Sequence, residues 1–257
     1  MKKTKVLQVF NIIGFIGTII VNYLANSLPL NGKTTGEISA LYPNLFTPAA
    51  ITFSIWGLIY FLLAGFIIYQ SRGLFSDKRP PEIVEKIGWL FFISSLANIS
   101  WIFAWHYLKV FLSVMIMLVL LISLIKIYRK INNGYNLIRG LEKLFTKITF
   151  SIYLGWISIA TIANITAYLV SINWNGFGLS DVFWTITVII VGLLLASFFV
   201  LIRNDIAYSL VVIWAYIGII IKRLSVEPIY NNIIIAAVIS IIIIVIEIIY
   251  IKTVVLR

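Results

Sequence analysis

Long apolar runs separated by short polar clusters divide the chain into eight stretches. Each approaches the ~20 residues that a helix needs to cross about 30 Å of hydrocarbon. The pattern predicts spans at about Leu7–Leu28, Ala50–Gln70, Ile87–Tyr107, Val110–Ile127, Ile148–Val170, Val182–Ile202, Ile206–Ile221 and Ile233–Ile251. Residues 108–109 and 203–205 are very short connections, which predict antiparallel hairpins. The seventh span is short and ends at Lys222-Arg223, so it reads either as a full crossing or as a tilted or re-entrant segment. No internal repeat accompanies the isoleucine enrichment.

Composition removes the soluble alternative. Of 257 residues, 61% are hydrophobic and 11% charged, and the mean hydropathy is +1.06. Soluble domains run near 45–50% apolar and about 25% charged. The expected fold class is therefore all-α, a polytopic helical membrane protein of about eight spans. The net charge of +11 reads as orientation rather than as affinity for nucleic acid. With both termini cytoplasmic, Lys2, Lys3, Lys5, Arg72, Lys78, Arg79, Lys86, Lys126, Arg129, Lys130, Arg139, Lys143, Lys147, Arg203, Lys252 and Arg257 lie inside. Only Lys33, Lys109, Lys222 and Arg223 lie outside. The first apolar stretch exceeds the ~7–15 residues of a signal-peptide core, so it reads as a retained helix.

The chain has no cysteine and a single histidine, His106, so a metal cluster is not expected. There is no glycine-lysine phosphate loop, no Ser/His/Asp set and no carboxylate pair within a span, so neither an ATP-driven machine nor an enzyme is indicated. His106 reads as an idle interface residue or, alternatively, as a haem-iron ligand or proton carrier. Glu247 is the one acid well inside a span, about one turn from Lys252, where it is expected to snorkel or pair.

Three spans carry more than lipid-facing aliphatics. Phe53, Trp56, Tyr60 and Ala64 fall on one helix face, as do Asn98, Trp101 and Trp105, and then Tyr153, Trp156, Ala160 and Asn164. An amide in hydrocarbon must find a partner, so Asn98 and Asn164 face the bundle interior, either as glue between helices or as the lining of a ligand cavity. Indoles there would stack on a flat apolar ligand and also offer N–H donors. Trp89, Trp174 and Trp184 lie near span ends and read as interface anchors. The long first loop, 29–49, keeps its own hydrophobes and either folds back as a lid or rests on headgroups. Gly14, Gly17 and the Gly192–Ala196 spacing favour close helix contact, within one bundle or between two copies.

These residues carry a resemblance. Phe46-Thr47-Pro48, Phe53 and Trp56-Gly57-Leu58-Ile59-Tyr60 resemble the start of the second helix in the TspO/MBR family of tryptophan-rich sensory proteins, which includes translocator protein, the peripheral benzodiazepine receptor. Asn98-Ile99-Ser100-Trp101 with Phe103 is similar to its third-helix motif, and Tyr153-Leu154-Gly155-Trp156 through Ala160, Thr161 and Asn164 to its fifth. Ala49, Ala50 and Ile51 depart from the family's usual proline, glycine and tryptophan.

The resemblance implies a five-helix TspO-like ligand-binding core over 1–172, with an additional three-helix membrane segment over 173–257. It implies a pocket for a porphyrin, another tetrapyrrole or a sterol-like molecule, serving a sensor or carrier. Trp56, Tyr60, Asn98, Trp101, Tyr153, Trp156, Ala160 and Asn164 would line that pocket, and Phe46 and Pro48 would shape the loop at its mouth. No cofactor is required, since porphyrin or haem would enter as ligand. The other partners implied are the bilayer and a second copy in a homodimer. The alternative function is a transporter or exporter of small lipophilic molecules without an obvious ion-coupling site.

Overall fold

The structure is a computed structural model that describes residues 2–28, 30–76, 79–133 and 140–255. Of the residues named above, Lys78, Arg139 and Arg257 lie outside the described residues, as does Pro29 of the first loop. The helices are α1 (Lys2–Ser27), α2 (Thr35–Ala40), α3 (Ile55–Gln70), α4 (Glu82–Ile87), α5 (Leu90–His106), α6 (Val110–Asn132), α7 (Gly140–Lys143), α8 (Thr149–Ser171), α9 (Asp181–Ser197), α10 (Ile206–Leu224) and α11 (Asn231–Tyr250). No strand occurs among the described residues.

Seven helical segments are long and apolar enough to cross a membrane, and the 17-residue helix Leu90–His106 is a shorter apolar one. The chain is thus a polytopic all-α membrane protein. The seventh predicted span is one unbroken helix of 19 residues. Asp205 caps its start by accepting from the Tyr208 N–H at 3.3 Å, and Lys222 and Arg223 complement the dipole of its last turn.

The helices cluster into two compact units. The division falls inside the first loop, at the start of α3 and inside α8. Unit 1 comprises Met1–Ile38 and Trp56–Leu154. Here α5 packs on both α1 and α6, with α4 against α1 and α6. Gly14 and Gly17 let α1 approach α5: a Cβ at Gly14 would lie 2.9 Å from Ser95 Cβ, and one at Gly17 would lie 3.1 Å from Ile99. The rings of Phe66 and Phe91 meet at 5.1 Å, and those of Phe66 and Phe150 at 5.0 Å.

Unit 2 comprises Ser39–Ile55 and Gly155–Arg257. In it α9, α10 and α11 pack pairwise. The Gly192–Ala196 spacing serves contact within the chain. The Tyr216 hydroxyl lies 2.2 Å from where a Gly192 Cβ would stand and donates to Ile189 O at 2.5 Å. The Ser209 hydroxyl donates to Ala196 O at 2.9 Å. Both bonds spend α10 side-chain hydroxyls on α9 backbone carbonyls, a favourable use of polar groups where water is absent.

The first loop contains a helix that hydropathy alone does not announce. Thr34 caps α2 and Glu37 reciprocates: its carboxylate accepts from the Thr34 N–H at 2.7 Å and hydroxyl at 2.9 Å, while the Glu37 N–H donates back at 3.3 Å. The Thr34 backbone and side-chain donors hold the Glu37 carboxyl below its ordinary value. A carboxyl lowered by folding stabilises above its unfolded pKa, and that contribution vanishes as pH falls through the folded value. We therefore expect α2 to lose hydrogen-exchange protection on acidification below about pH 4, and Glu37→Gln to have lost part of it already at neutral pH.

Candidate functional site

In unit 1 Trp56 and Tyr60 of α3, Asn98 of α5 and Tyr153 of α8 come together. Helical spacing of four stacks Trp56 on Tyr60, centroids 5.4 Å apart at 23°, and the Trp56 ring meets Tyr153 edge-on at 6.0 Å. Asn98 Nδ2 donates to the Tyr153 hydroxyl at 3.1 Å. Its Oδ1 accepts from Asn22 Nδ2 at 2.8 Å. Asn98 therefore acts as helix-to-helix glue and also fixes the ring that borders the indole. Because the Tyr153 oxygen accepts from Asn98, its own proton is left to donate. The Tyr60 hydroxyl is buried and has no hydrogen-bond partner among the described residues. A half-buried indole face thus stands beside phenolic donors in an apolar setting.

Trp101 stacks on Trp105 at 5.7 Å and 15°, one turn further along α5. The rest of the predicted set belongs to unit 2. There Trp156 is buried and meets Phe53 edge-on at 5.9 Å. Ala160 is half-buried and Asn164 is 3% exposed on the same helix. Phe46 and Pro48 are both buried.

The second half of the first loop is fastened to α10. The Ala49 N–H donates to Gly218 O at 2.9 Å, and the Trp214 indole donates to Thr52 O at 2.9 Å. In unit 2 this segment also bounds a cavity of about 290 Å³, lined by Pro43–Phe46, the later turns of α8, and Trp174, Asp181 and Trp184. Trp174 and Trp184, two of the three tryptophans expected as interface anchors, therefore line a cavity as well. Their rings meet at 5.0 Å, and the Trp184 N–H is held by Gly176 O at 2.9 Å.

Two expectations change. His106 is fully buried, not idle at an interface. Its Nδ1 lies 3.0 Å from Leu30 O, which can only accept, so Nδ1 carries the proton and Nε2 accepts from the Thr35 hydroxyl at 3.0 Å. With Asn31 donating to His106 O at 3.0 Å and Trp105 to Thr35 O at 3.2 Å, the histidine latches the first half of the loop onto α5. Both ring nitrogens are engaged, which leaves neither free for haem iron. Glu247 is half-buried, and its Oε2 has no hydrogen-bond partner among the described residues, while Lys252 is exposed. It follows Ile233, Ala237, Ser240 and Ile244 along the buried seam of α11.

Sequence reasoning missed the buried polar stripe of α1. Thr4, Gln8, Asn11, Thr18 and Asn22 are all buried. The Thr4 hydroxyl donates to Glu85. Gln8 Nε2 donates to Gln70 O at 2.5 Å and Arg72 O at 3.0 Å, and Gln70 Nε2 donates back to Gln8 O at 3.2 Å. The signal was present as polar residues at three-, four- and seven-residue steps, hidden by the high hydropathy around them.

Long apolar helices with amides and phenols buried among them define a class, the polytopic helical membrane proteins. Within that class the chain belongs to the TSPO-like family: the family model described as TSPO-like protein matches residues 8–250. The match runs through the last three long helices as well as the first five. No curated protein and no solved structure matches the chain. Among the described residues no group of three or more histidine, cysteine or acidic side chains stands ready to hold a metal.

Proposed function

We propose that this protein binds a flat apolar ligand, of porphyrin, tetrapyrrole or sterol-like chemistry, and serves as a membrane sensor or carrier with both termini on the cytoplasmic side. One observation carries the reading: the Tyr60 hydroxyl, buried and unpartnered beside the Trp56 and Tyr153 rings. An unsatisfied buried donor costs roughly 1–3 kcal/mol. A ligand carbonyl, carboxyl or hydroxyl placed over the Trp56 face would relieve that cost. Membership of the TSPO-like family supports the same reading. The orientation rests on the distribution of lysine and arginine.

The test is a titration of the purified protein with protoporphyrin IX and with haem, followed by tryptophan quenching and by the Soret band. Saturable micromolar binding is expected. Trp56→Phe and Tyr60→Phe should each weaken it about tenfold, the cost of one stacked ring or one buried hydrogen bond. Trp89→Phe, at an exposed ring, should leave it unchanged. Absence of saturation, or equal losses from all three variants, would refute the assignment.

Passage of a small lipophilic molecule is the second reading, and the polar stripe of α1 favours it. Amides bonded inside unit 1 offer a route to a molecule that carries a few polar groups. Reconstituted vesicles separate passage from binding alone: a transporter accelerates porphyrin equilibration across the bilayer, and a protein that only binds the ligand does not.

A further inference from the structure

The cavity of unit 2 shares no lining residue with the Trp56–Tyr153 cluster and has its own chemistry. Its wall is aliphatic along α8 and α9, formed by Ile162, Ile165, Leu169 and Val188. Most polar groups on the lining are already committed. The Asn44 oxygen accepts from the N–H groups of Phe46 and Thr47 and from the Thr47 hydroxyl, and its amide donates to Tyr42 O. The Thr166 hydroxyl turns back to Ile162 O and the Thr185 hydroxyl to Asp181 O. The Trp184 N–H is taken by Gly176 O.

Among these lining residues one group is ionisable, the exposed Asp181 carboxylate. It sits on the first turn of α9, after the Ser180 cap, and no lysine or arginine lines the cavity with it. Indole faces attract cations, most strongly where water is excluded. A carboxylate and two indoles on the lining of an otherwise largely aliphatic cavity are complementary to a cationic head on an apolar chain. An anionic head would meet Asp181 with no basic residue to receive it, and the phosphate of a choline lipid faces the same obstacle. At about 290 Å³ the cavity lies at the small end of ligand sites, enough for a head group and the upper part of one chain.

We infer that this cavity is a binding site for a single-chain cationic amphiphile, a quaternary ammonium or protonated amine whose head lies between Asp181 and the Trp174–Trp184 pair. The chain of that ligand runs along Ile162, Ile165 and Leu169. Every residue lining it belongs to unit 2, and none is shared with the Trp56, Tyr60 and Tyr153 cluster proposed above.

The full-length protein in a neutral maltoside detergent is titrated with decyltrimethylammonium, decyl sulfate or decylphosphocholine below their micellar concentrations, and tryptophan emission is read. The cation alone should saturate. Asp181→Asn should weaken it about threefold, the scale of one exposed ion pair. Asp181→Glu should retain it, and Val188→Phe, which fills the trough, should remove it. Trp56→Phe should leave this titration as it is, whatever it does to porphyrin binding. The inference is overturned if the three amphiphiles titrate alike, if Asp181→Asn binds as tightly as the parent, or if Asp181→Glu fails together with Asp181→Asn.

Discussion

Gly218→Ala is expected to destabilise the protein by about 3 kcal/mol, the upper part of the range for an overpacked contact. A Cβ at that position would stand 1.9 Å from Thr52 Oγ1 and 2.9 Å from both Thr52 Cβ and Pro48 Cβ. Rotating Thr52 would relieve the first clash but not the other two, since each Cβ is fixed to its backbone. The loop segment would have to lift, stretching the Ala49 N–H bond to Gly218 O and the Trp214 bond to Thr52 O. Gly57→Ala is the control. A Cβ there meets nothing within 4 Å, and alanine is the better helix former by up to about 1 kcal/mol. Denaturant titration in detergent checks both: the Gly218 variant should unfold well before the parent, and the Gly57 variant at or slightly after it. Equal midpoints for the two variants would show that the loop is not held against α10.

The second large effect falls on the amide chain of unit 1. Asn98→Leu removes the donor to Tyr153 and the acceptor from Asn22 in one step. Asn22 Nδ2 keeps its bond to Thr18 O at 2.9 Å, so the burden falls on the second amide proton and on the phenol. A cost of about 2 kcal/mol is expected, since buried polar groups left unmatched cost roughly 1–3 kcal/mol while amide bonds between membrane helices average below 1. A double-mutant cycle with Asn22→Leu isolates the pair. Once Asn22 is gone, Asn98→Leu should cost about 1 kcal/mol less than it does alone. Additive losses would mean that the two amides do not share a bond.

Much of the fold was legible in the pattern of the chain. Each apolar run became a helix within a few residues of the expected bounds. The two shortest connections hold Leu108 and Asn204 at φ values of 56° and 50°, tight turns that bring consecutive helices back at once. Hydrocarbon leaves the backbone no other partner than itself, so a long apolar run has one regular structure open to it. What the pattern blurred were the polar ends. The first span is expected from about Leu7, yet α1 covers Lys2–Ser27, and Thr4 within that added turn donates to Glu85.

The candidate site was legible only in part. Helical spacing put Trp56 over Tyr60, and the motif placed Asn98 and Tyr153 on suitable faces. Nothing in the sequence paired Asn98 with Asn22, because the two lie 76 residues apart and polar residues at helical spacing look alike whether they bind water, glue or ligand. Asp181 with Trp174 and Trp184 escaped for the opposite reason. An acid after a serine cap, and tryptophans near a span end, have ordinary local explanations, and the cavity exists only once the loop from Pro43 to Phe46 lies beside them.

The sequence by itself determined the solvent of this protein, the number and place of its apolar helices and its TSPO-like kinship. These follow from hydropathy, charge asymmetry and motif, which are properties of neighbours in the chain. The tertiary structure alone decided which polar side chains satisfy one another: the His106 latch, the α1 stripe, the Gly218 seat for the loop and the unpartnered hydroxyl of Tyr60. A buried hydrogen bond depends on where two distant atoms stop, within a few tenths of an ångström. That position is set by the packing of whole helices.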